Sequence, residues 1–142
     1  MAIGDAAKEL YLSGFSCGEA VVKAVRDSGR LAVSTDVIKA CSAYKTGIGA
    51  CKADVCGCLL AGLAVTGVKY GRDNNEDDIS EINQRAAALY ERFRKKAGTV
   101  RCAKLLEAFP MDDKERFMSK ERKAVCADIV KFVVDDLEAN VL

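Results

Sequence analysis

The stretch VCGCLLAGLAVTGVKYG, from Val55 to Gly71, carries the helical pattern that decides the fold class of this chain. Its apolar residues recur at helical spacing. Asp54 stands where a helix N-cap residue is expected, and Gly71 stands where helices commonly end. We therefore predict a helix over about residues 55–70.

Helical spacing continues along nearly the whole chain, which contains a single proline, Pro110. Ser16 and Glu19 form a capping-box pattern at the start of one helix, and Ser119 is positioned to cap the last one. The predicted helices cover about residues 3–12, 16–27, 34–45, 55–70, 79–97, 100–108 and 120–139. Because no strand pattern or repeat is found, the sequence predicts a single all-α domain over residues 1–142, a helical bundle of about six or seven helices.

Composition and charge exclude several classes of partner. The 142 residues include 22 basic and 21 acidic side chains, and half of the residues are apolar. This balance favours neither nucleic acid nor an anionic membrane as a partner. The N-terminus lacks the pattern of a signal peptide, and the longest apolar run is far shorter than the ~20 residues that span a bilayer. We expect a soluble, cytoplasmic protein.

Cysteine and histidine usage is the unusual part of the composition. There are seven cysteines and no histidine. Because cytosolic chains rarely carry structural disulfides, this many cysteines indicates thiol or metal chemistry. The lack of histidine excludes His-based catalytic triads and the C-x-x-C-H attachment of haem. The scattered glycines follow no strand and form no nucleotide-binding fingerprint, so no nucleotide is expected either.

Four cysteines lie on apolar helical stripes. Residues at offsets three, four and seven share a helix face, and after these cysteines those residues are mostly apolar. If the four stripes share one core, the four thiols point inward and could meet. Three of them also fall in the first turn of a predicted helix, where the helix dipole favours a thiolate while burial opposes it. The four are Cys17, Cys56, Cys102 and Cys126.

Cys58 follows a different pattern from Cys56. Two positions apart on a helix, the two side chains are separated by about 200° and cannot both face one pocket. Cys58 is followed on its own face by small residues, which would allow another helix or a second subunit to approach closely. Of the other two, Cys41 lies on a poorer stripe and Cys51 lies in or near a loop.

The chain resembles a family of redox-active proteins of about this length, named for a C_GCAxxG_C_C pattern with four characteristic cysteines. The resemblance covers nearly the whole chain. Its four pieces are Cys17–Val21, Val55–Gly71, Arg101–Leu106 and Val125–Val130. The ungapped register, anchored on Lys69-Tyr70-Gly71, makes Cys56 the central motif cysteine. A rival register makes it Cys58.

The resemblance implies a redox role, and the sequence leaves several mechanisms open. The leading expectation is electron transfer through an iron–sulfur cluster, most simply [2Fe–2S], held by Cys17, Cys56, Cys102 and Cys126, with Cys58 as the substitute for Cys56. Without a metal, the same cysteines would be redox-active thiols in disulfide exchange, with Cys58 or Cys51 resolving. A Cys₄ zinc site and cysteines that only pack are further alternatives. A redox partner protein or oxidoreductase is expected, and a homodimer is left open.

Overall fold

The computed structural model describes residues 1–142 and confirms the all-α class. Six helices of seven residues or more are joined by two single-turn helices, α6 and α7. In chain order the helices are α1 Ile3–Leu12, α2 Cys17–Asp27, α3 Thr35–Cys41, α4 Gly57–Tyr70, α5 Ser80–Ala97, α6 Cys102–Leu105, α7 Lys114–Phe117 and α8 Lys120–Asn140. None of them combines the length and the apolar character needed to cross a bilayer.

Serine caps set the start of three helices. The side-chain oxygens of Ser16, Ser34 and Ser119 each accept a hydrogen bond from the backbone N–H three residues later, at 3.2–3.4 Å. Such a cap satisfies one of the free N–H groups of the first turn. Glu19 makes no return bond to Ser16, so only the serine half of that capping box forms.

The core is built mainly from valine and leucine. The helix α8 packs against α1, α2 and α4, and α4 packs against α5. Burying each such side chain stabilises the fold by roughly 1.5–3 kcal/mol before chain entropy is counted. The largest fully buried apolar side chains are Phe93, Leu59, Leu89, Leu137, Val21, Val22, Val25, Val65, Val130, Val133 and Val134.

The small-residue face that follows Cys58 on α4 receives two helices of the same chain. A Cβ atom added at Gly62 would lie 2.9 Å from Val133 on α8 and 3.2 Å from Leu89 on α5. Ala61 and Val65 on this helix are fully buried. The sequence left open whether another helix or a second subunit approaches this face, and the structure places neighbouring helices of the same chain there.

An ion pair joins α5 to α8 outside the apolar core. Arg92 donates two hydrogen bonds to the carboxylate of Asp136, at 2.7 and 2.9 Å. The Asp136 side chain is only 6% exposed, whereas that of Arg92 is 35% exposed. The same two helices also bring the rings of Phe93 and Phe132 within 6.3 Å of each other.

Several predicted boundaries are wrong, and most of them border residues 42–56. The third helix ends at Cys41 instead of Lys45, and the fourth begins at Gly57 instead of Val55. Between them, four non-glycine residues adopt positive φ, which helix periodicity cannot anticipate and which is costly for L-residues. They are Thr46, Ala50, Lys52 and Asp54.

The other boundary errors lie near Pro110. The helix predicted over 100–108 shrinks to the single turn α6, and α7 was missed altogether. Asp113 is the N-cap of α7, and its carboxylate accepts a hydrogen bond from the N–H of Arg116 at 3.1 Å. An aspartate at this position is the sequence feature that would have indicated α7.

A cavity lined by five thiols

Five of the seven cysteines line one cavity of about 370 Å³. They come from four helices, α2, α4, α6 and α8, which are far apart in sequence. The five are Cys17, Cys56, Cys58, Cys102 and Cys126. The remaining two do not take part: Cys41 is buried elsewhere, and Cys51 is exposed with its thiol donating to the Ile48 carbonyl.

Cys56 and Cys58 share this cavity, so the prediction that they face apart is wrong. The prediction assumed that both residues lie inside one regular helix. Cys56 is instead the N-cap of α4, with φ −54° and ψ 132°, and the helix begins at Gly57. The extended backbone at Cys56 turns its side chain toward the face that Cys58 occupies, and helical angles no longer relate the two.

The Tyr44 carbonyl fixes the start of α2 against the start of α4. It accepts hydrogen bonds from the N–H of Gly18 at 3.1 Å and from the Cys17 thiol at 3.3 Å. A Cβ atom would lie 2.8 Å from this oxygen at Gly18 and 2.4 Å from it at Gly57. In both Cys-Gly pairs the glycine is therefore required because a backbone carbonyl approaches too closely for a side chain.

The same close approach brings Cys17 Sγ next to α4. A Cβ atom at Gly57 would lie 3.0 Å from Cys17 Sγ. The Cys58 thiol is within hydrogen-bonding reach of this sulfur and is the largest cause that lowers the pKa of Cys17 to about 7. Burial opposes this effect, and the backbone N–H groups of Thr46 and Gly18 add to it. The pKa of Cys17 therefore lies closer to neutral pH than that of an ordinary cysteine.

Cys58 is the protonated partner in this contact. Its hydrogen bonds to Cys17 and then to Cys56, followed by burial, raise the pKa of Cys58 well above the usual range of a thiol. The hydrogen bond that stabilises a thiolate on Cys17 also holds the proton on Cys58. The pair therefore carries one proton that leaves easily and one that does not.

Burial is the largest influence on the pKa of Cys102 and of Cys126. It raises the pKa of Cys102 to about 12, although Cys102 begins a short helix. It also raises the pKa of Cys126, against the lowering effect of Arg122 and Tyr11. Of the two opposing influences that the sequence predicted at the helix starts, burial therefore outweighs the helix dipole at Cys102.

Arg122 on α8 is a buried cation that sequence reasoning did not single out. Its Nε donates to the Phe117 carbonyl at 2.6 Å, and its Nη1 donates to the Tyr11 hydroxyl at 2.8 Å and contacts Cys126 Sγ at 3.8 Å. No carboxylate lies within ion-pair distance of it. One feature of the sequence could have drawn attention to Arg122, because it falls in the first turn of a helix, where a cation is disfavoured.

Residues 42–56 wrap over one side of the cavity and are tied to α6. The N–H of Cys56 donates to the backbone carbonyl of Val100 at 2.8 Å, and the N–H of Cys102 donates to the backbone carbonyl of Asp54 at 2.9 Å. Lys52 Nζ donates to the Leu106 carbonyl at 3.2 Å. Each left-handed non-glycine residue here costs on the order of 1 kcal/mol, and strain of this kind concentrates at functional sites.

The cavity has metal-binding chemistry without metal-binding geometry. Thiolates are the ligands that iron–sulfur clusters and zinc prefer. Yet nowhere in the chain do three or more cysteine, aspartate or glutamate side chains converge closely enough to hold one ion. The residues as they stand do not fit a metal centre, and binding one would require the thiols to move.

Fold and cavity together define the class: an all-α protein with a cysteine-lined cavity. The chain belongs to the C_GCAxxG_C_C family, whose model, described as "Putative redox-active protein (C_GCAxxG_C_C)", matches residues 15–139. All seven cysteines fall within the matched residues. No curated protein and no solved structure matches the chain.

Proposed function

We propose that this protein is a thiol–disulfide redox protein in which Cys17 is the attacking thiol and Cys58 the resolving thiol. The observation that carries the proposal is the position of Cys17 Sγ against the first turn of α4, beside Cys58, where hydrogen bonding to Cys58 lowers the pKa of Cys17 to about 7. An attacking thiol works best with a pKa near the ambient pH, since it is then both ionised and nucleophilic.

The first half of the reaction takes place on Cys17. Its thiolate attacks one sulfur of a disulfide R–S–S–R, a new S–S bond forms to Cys17, and the old S–S bond breaks. The leaving thiolate RS⁻ takes up the proton that Cys58 gives up in the second half of the reaction. The Cys17 side chain, which is 8% exposed, borders the cavity through which such a molecule reaches it.

The second half depends on Cys58. Once Cys17 is in a mixed disulfide it is no longer a thiolate, so the largest cause that keeps the proton on Cys58 disappears. Cys58 loses its proton to the first leaving thiolate, attacks the Cys17 sulfur and releases the second RS⁻, which is protonated from water. Two electrons pass from the protein to the disulfide, and a dithiol reductant, expected to be a partner protein, restores the two thiols.

Trapping the mixed disulfide tests this order of events. The Cys58→Ser variant, exposed to bis(hydroxyethyl) disulfide, should accumulate a stable adduct on Cys17, because no resolving thiol attacks it. The wild-type protein and a Cys51→Ser control, which alters an exposed thiol outside the cavity, should lose the adduct and form a protein disulfide. Peptide mass spectrometry distinguishes these products. Equal adduct accumulation in the variant and the wild type would rule out the role of Cys58.

An iron–sulfur cluster is the second candidate, favoured by the five thiols that border one cavity beside a guanidinium able to offset a cluster's charge. No redox step is derived through it, since the thiols do not fit a metal as they stand. Anaerobic addition of iron and sulfide, followed by absorbance, EPR and metal analysis, distinguishes a cluster, a zinc site and a metal-free dithiol.

A further inference from the structure

Arg122 is a charged group that the proposed dithiol chemistry does not use. It is 8% exposed and takes part in no ion pair of the structure. A buried charge without a counter-ion costs several kcal/mol, and native proteins rarely keep one without a role. The groups that it contacts are the Phe117 carbonyl and ring, the Tyr11 hydroxyl and the Cys126 thiol, and none of them is a carboxylate.

One nitrogen of this guanidinium has no hydrogen-bond partner in the protein. Nε and Nη1 make all of its hydrogen bonds, and Nη2 makes none within the protein. No fully buried side-chain nitrogen lacks a partner anywhere in the chain, so Nη2 is accessible to solvent, and Arg122 is one of the residues that line the cavity. A free N–H group of a guanidinium can donate a charge-assisted hydrogen bond to a carboxylate oxygen.

The rest of the cavity agrees with an anionic ligand that has an apolar body. Its lining contains no aspartate or glutamate, and its other cations are Lys45 and Lys123. The lining also includes three exposed apolar side chains, Leu12, Phe15 and Met118. A volume of about 370 Å³ is in the range of sites for small molecules.

We propose that Arg122 is the recognition residue for the substrate, and that the substrate is a small aliphatic disulfide carrying a carboxylate. The inference rests on the proposed thiol–disulfide function and adds the substrate class to it. The carboxylate accepts a hydrogen bond from Nη2 of Arg122, the aliphatic body lies against the apolar lining, and the S–S bond meets Cys17 Sγ. The exchange then follows the balanced steps given above.

A pair of disulfides of equal size tests this inference. Dithiodipropionate carries carboxylates, and its diamide is neutral. The rate of adduct formation on Cys17 with the acid is divided by the rate with the diamide. This ratio is then divided by the same acid-to-diamide ratio measured for N-acetylcysteine amide in free solution. A hydrogen bond to a charged group predicts a preference for the acid of about tenfold or more in the wild type. Arg122→Gln should reduce this preference to about one, whereas Arg30→Gln, on an exposed arginine outside the cavity, should keep it.

A second measurement covers the case in which Arg122→Gln fails to fold. Butyrate should protect Cys17 of the wild-type protein from alkylation, and butanol at the same concentration should not. If both disulfides react at Cys17 with no preference for the acid, and butyrate gives no protection, the recognition role is wrong while the dithiol function stands. If neither disulfide reacts at Cys17, the proposed function itself fails.

Discussion

At the scale of single residues, the two Cys-Gly pairs have one physical explanation. Gly18 and Gly57 each face the Tyr44 carbonyl at a distance that no Cβ atom tolerates. The close approach sets Cys17 Sγ beside the first turn of α4, where Cys58 reaches it. The glycines of the motif therefore set the positions of the neighbouring sulfurs on which the proposed redox chemistry depends.

The Gly57→Ala variant tests this explanation. The added methyl group must displace the Tyr44 carbonyl and Cys17 Sγ, so we expect a loss of roughly 1–3 kcal/mol of stability, typical of overpacking. The Cys17 pKa should rise at the same time. Urea unfolding and the rate of Cys17 alkylation at neutral pH measure the two effects.

Gly67→Ala is the matched control, because Gly67 lies in the same helix. A Cβ atom there has no neighbour within 4 Å. This variant should stabilise the protein by roughly 0.5–1 kcal/mol, the usual gain when alanine replaces a helical glycine, and should leave the alkylation rate alone. Similar results for the two glycine variants would refute the close-approach argument.

At the scale of elements, the sequence predicted the helices whose ends are set by local chemistry. α2 and α8 begin where their serine caps indicate, and α1 has the predicted bounds. The error at α4 was only two residues, yet it reversed the conclusion about Cys58. Its cause is the left-handed backbone around Asp54, which depends on the pairing of Val55 with Arg101, a contact between segments distant in sequence.

The candidate site was predictable only in part, for a related reason. The apolar stripes pointed to Cys17, Cys56, Cys102 and Cys126, and all four do line one cavity. Which sulfurs touch depends on a carbonyl and two glycines, and no helical periodicity encodes those contacts. Arg122 was missed because its burial follows from the packing of α1 and α7 near the start of α8, which the sequence does not reveal.

The junction of α5 and α8 yields a stability prediction that does not involve the thiols. Asp136→Asn removes the charge from a buried, doubly hydrogen-bonded pair with Arg92 and should cost roughly 2 kcal/mol. Asp128→Asn lies on the same helix and breaks a pair with Lys8 in which the aspartate is 69% exposed, so it should cost under about 1 kcal/mol. Urea unfolding of the two variants measures the difference, and equal losses would contradict the assignment of the buried pair.

At the scale of the whole molecule, the bundle separates a rigid core from a reactive cavity. Buried valines and leucines fill the space between the long helices. The cavity lies where α2, α4 and α6 begin, bordered by residues 42–56 and by the first turns of α8. Long helices thus hold the thiols in place, while irregular backbone supplies the close contacts that change their chemistry.

The central claim is that Cys58 makes Cys17 the reactive thiolate of this cavity. The pH dependence of Cys17 alkylation, followed on its own peptide by mass spectrometry, tests it most directly. Because only the thiolate reacts, the rate should rise with pH and level off above a midpoint of about 7. In Cys58→Ala the midpoint should move upward, since the largest lowering cause is gone, and in the Cys51→Ala control it should stay. A wild-type midpoint near the ordinary value for cysteine, or one that Cys58→Ala leaves in place, would contradict the account.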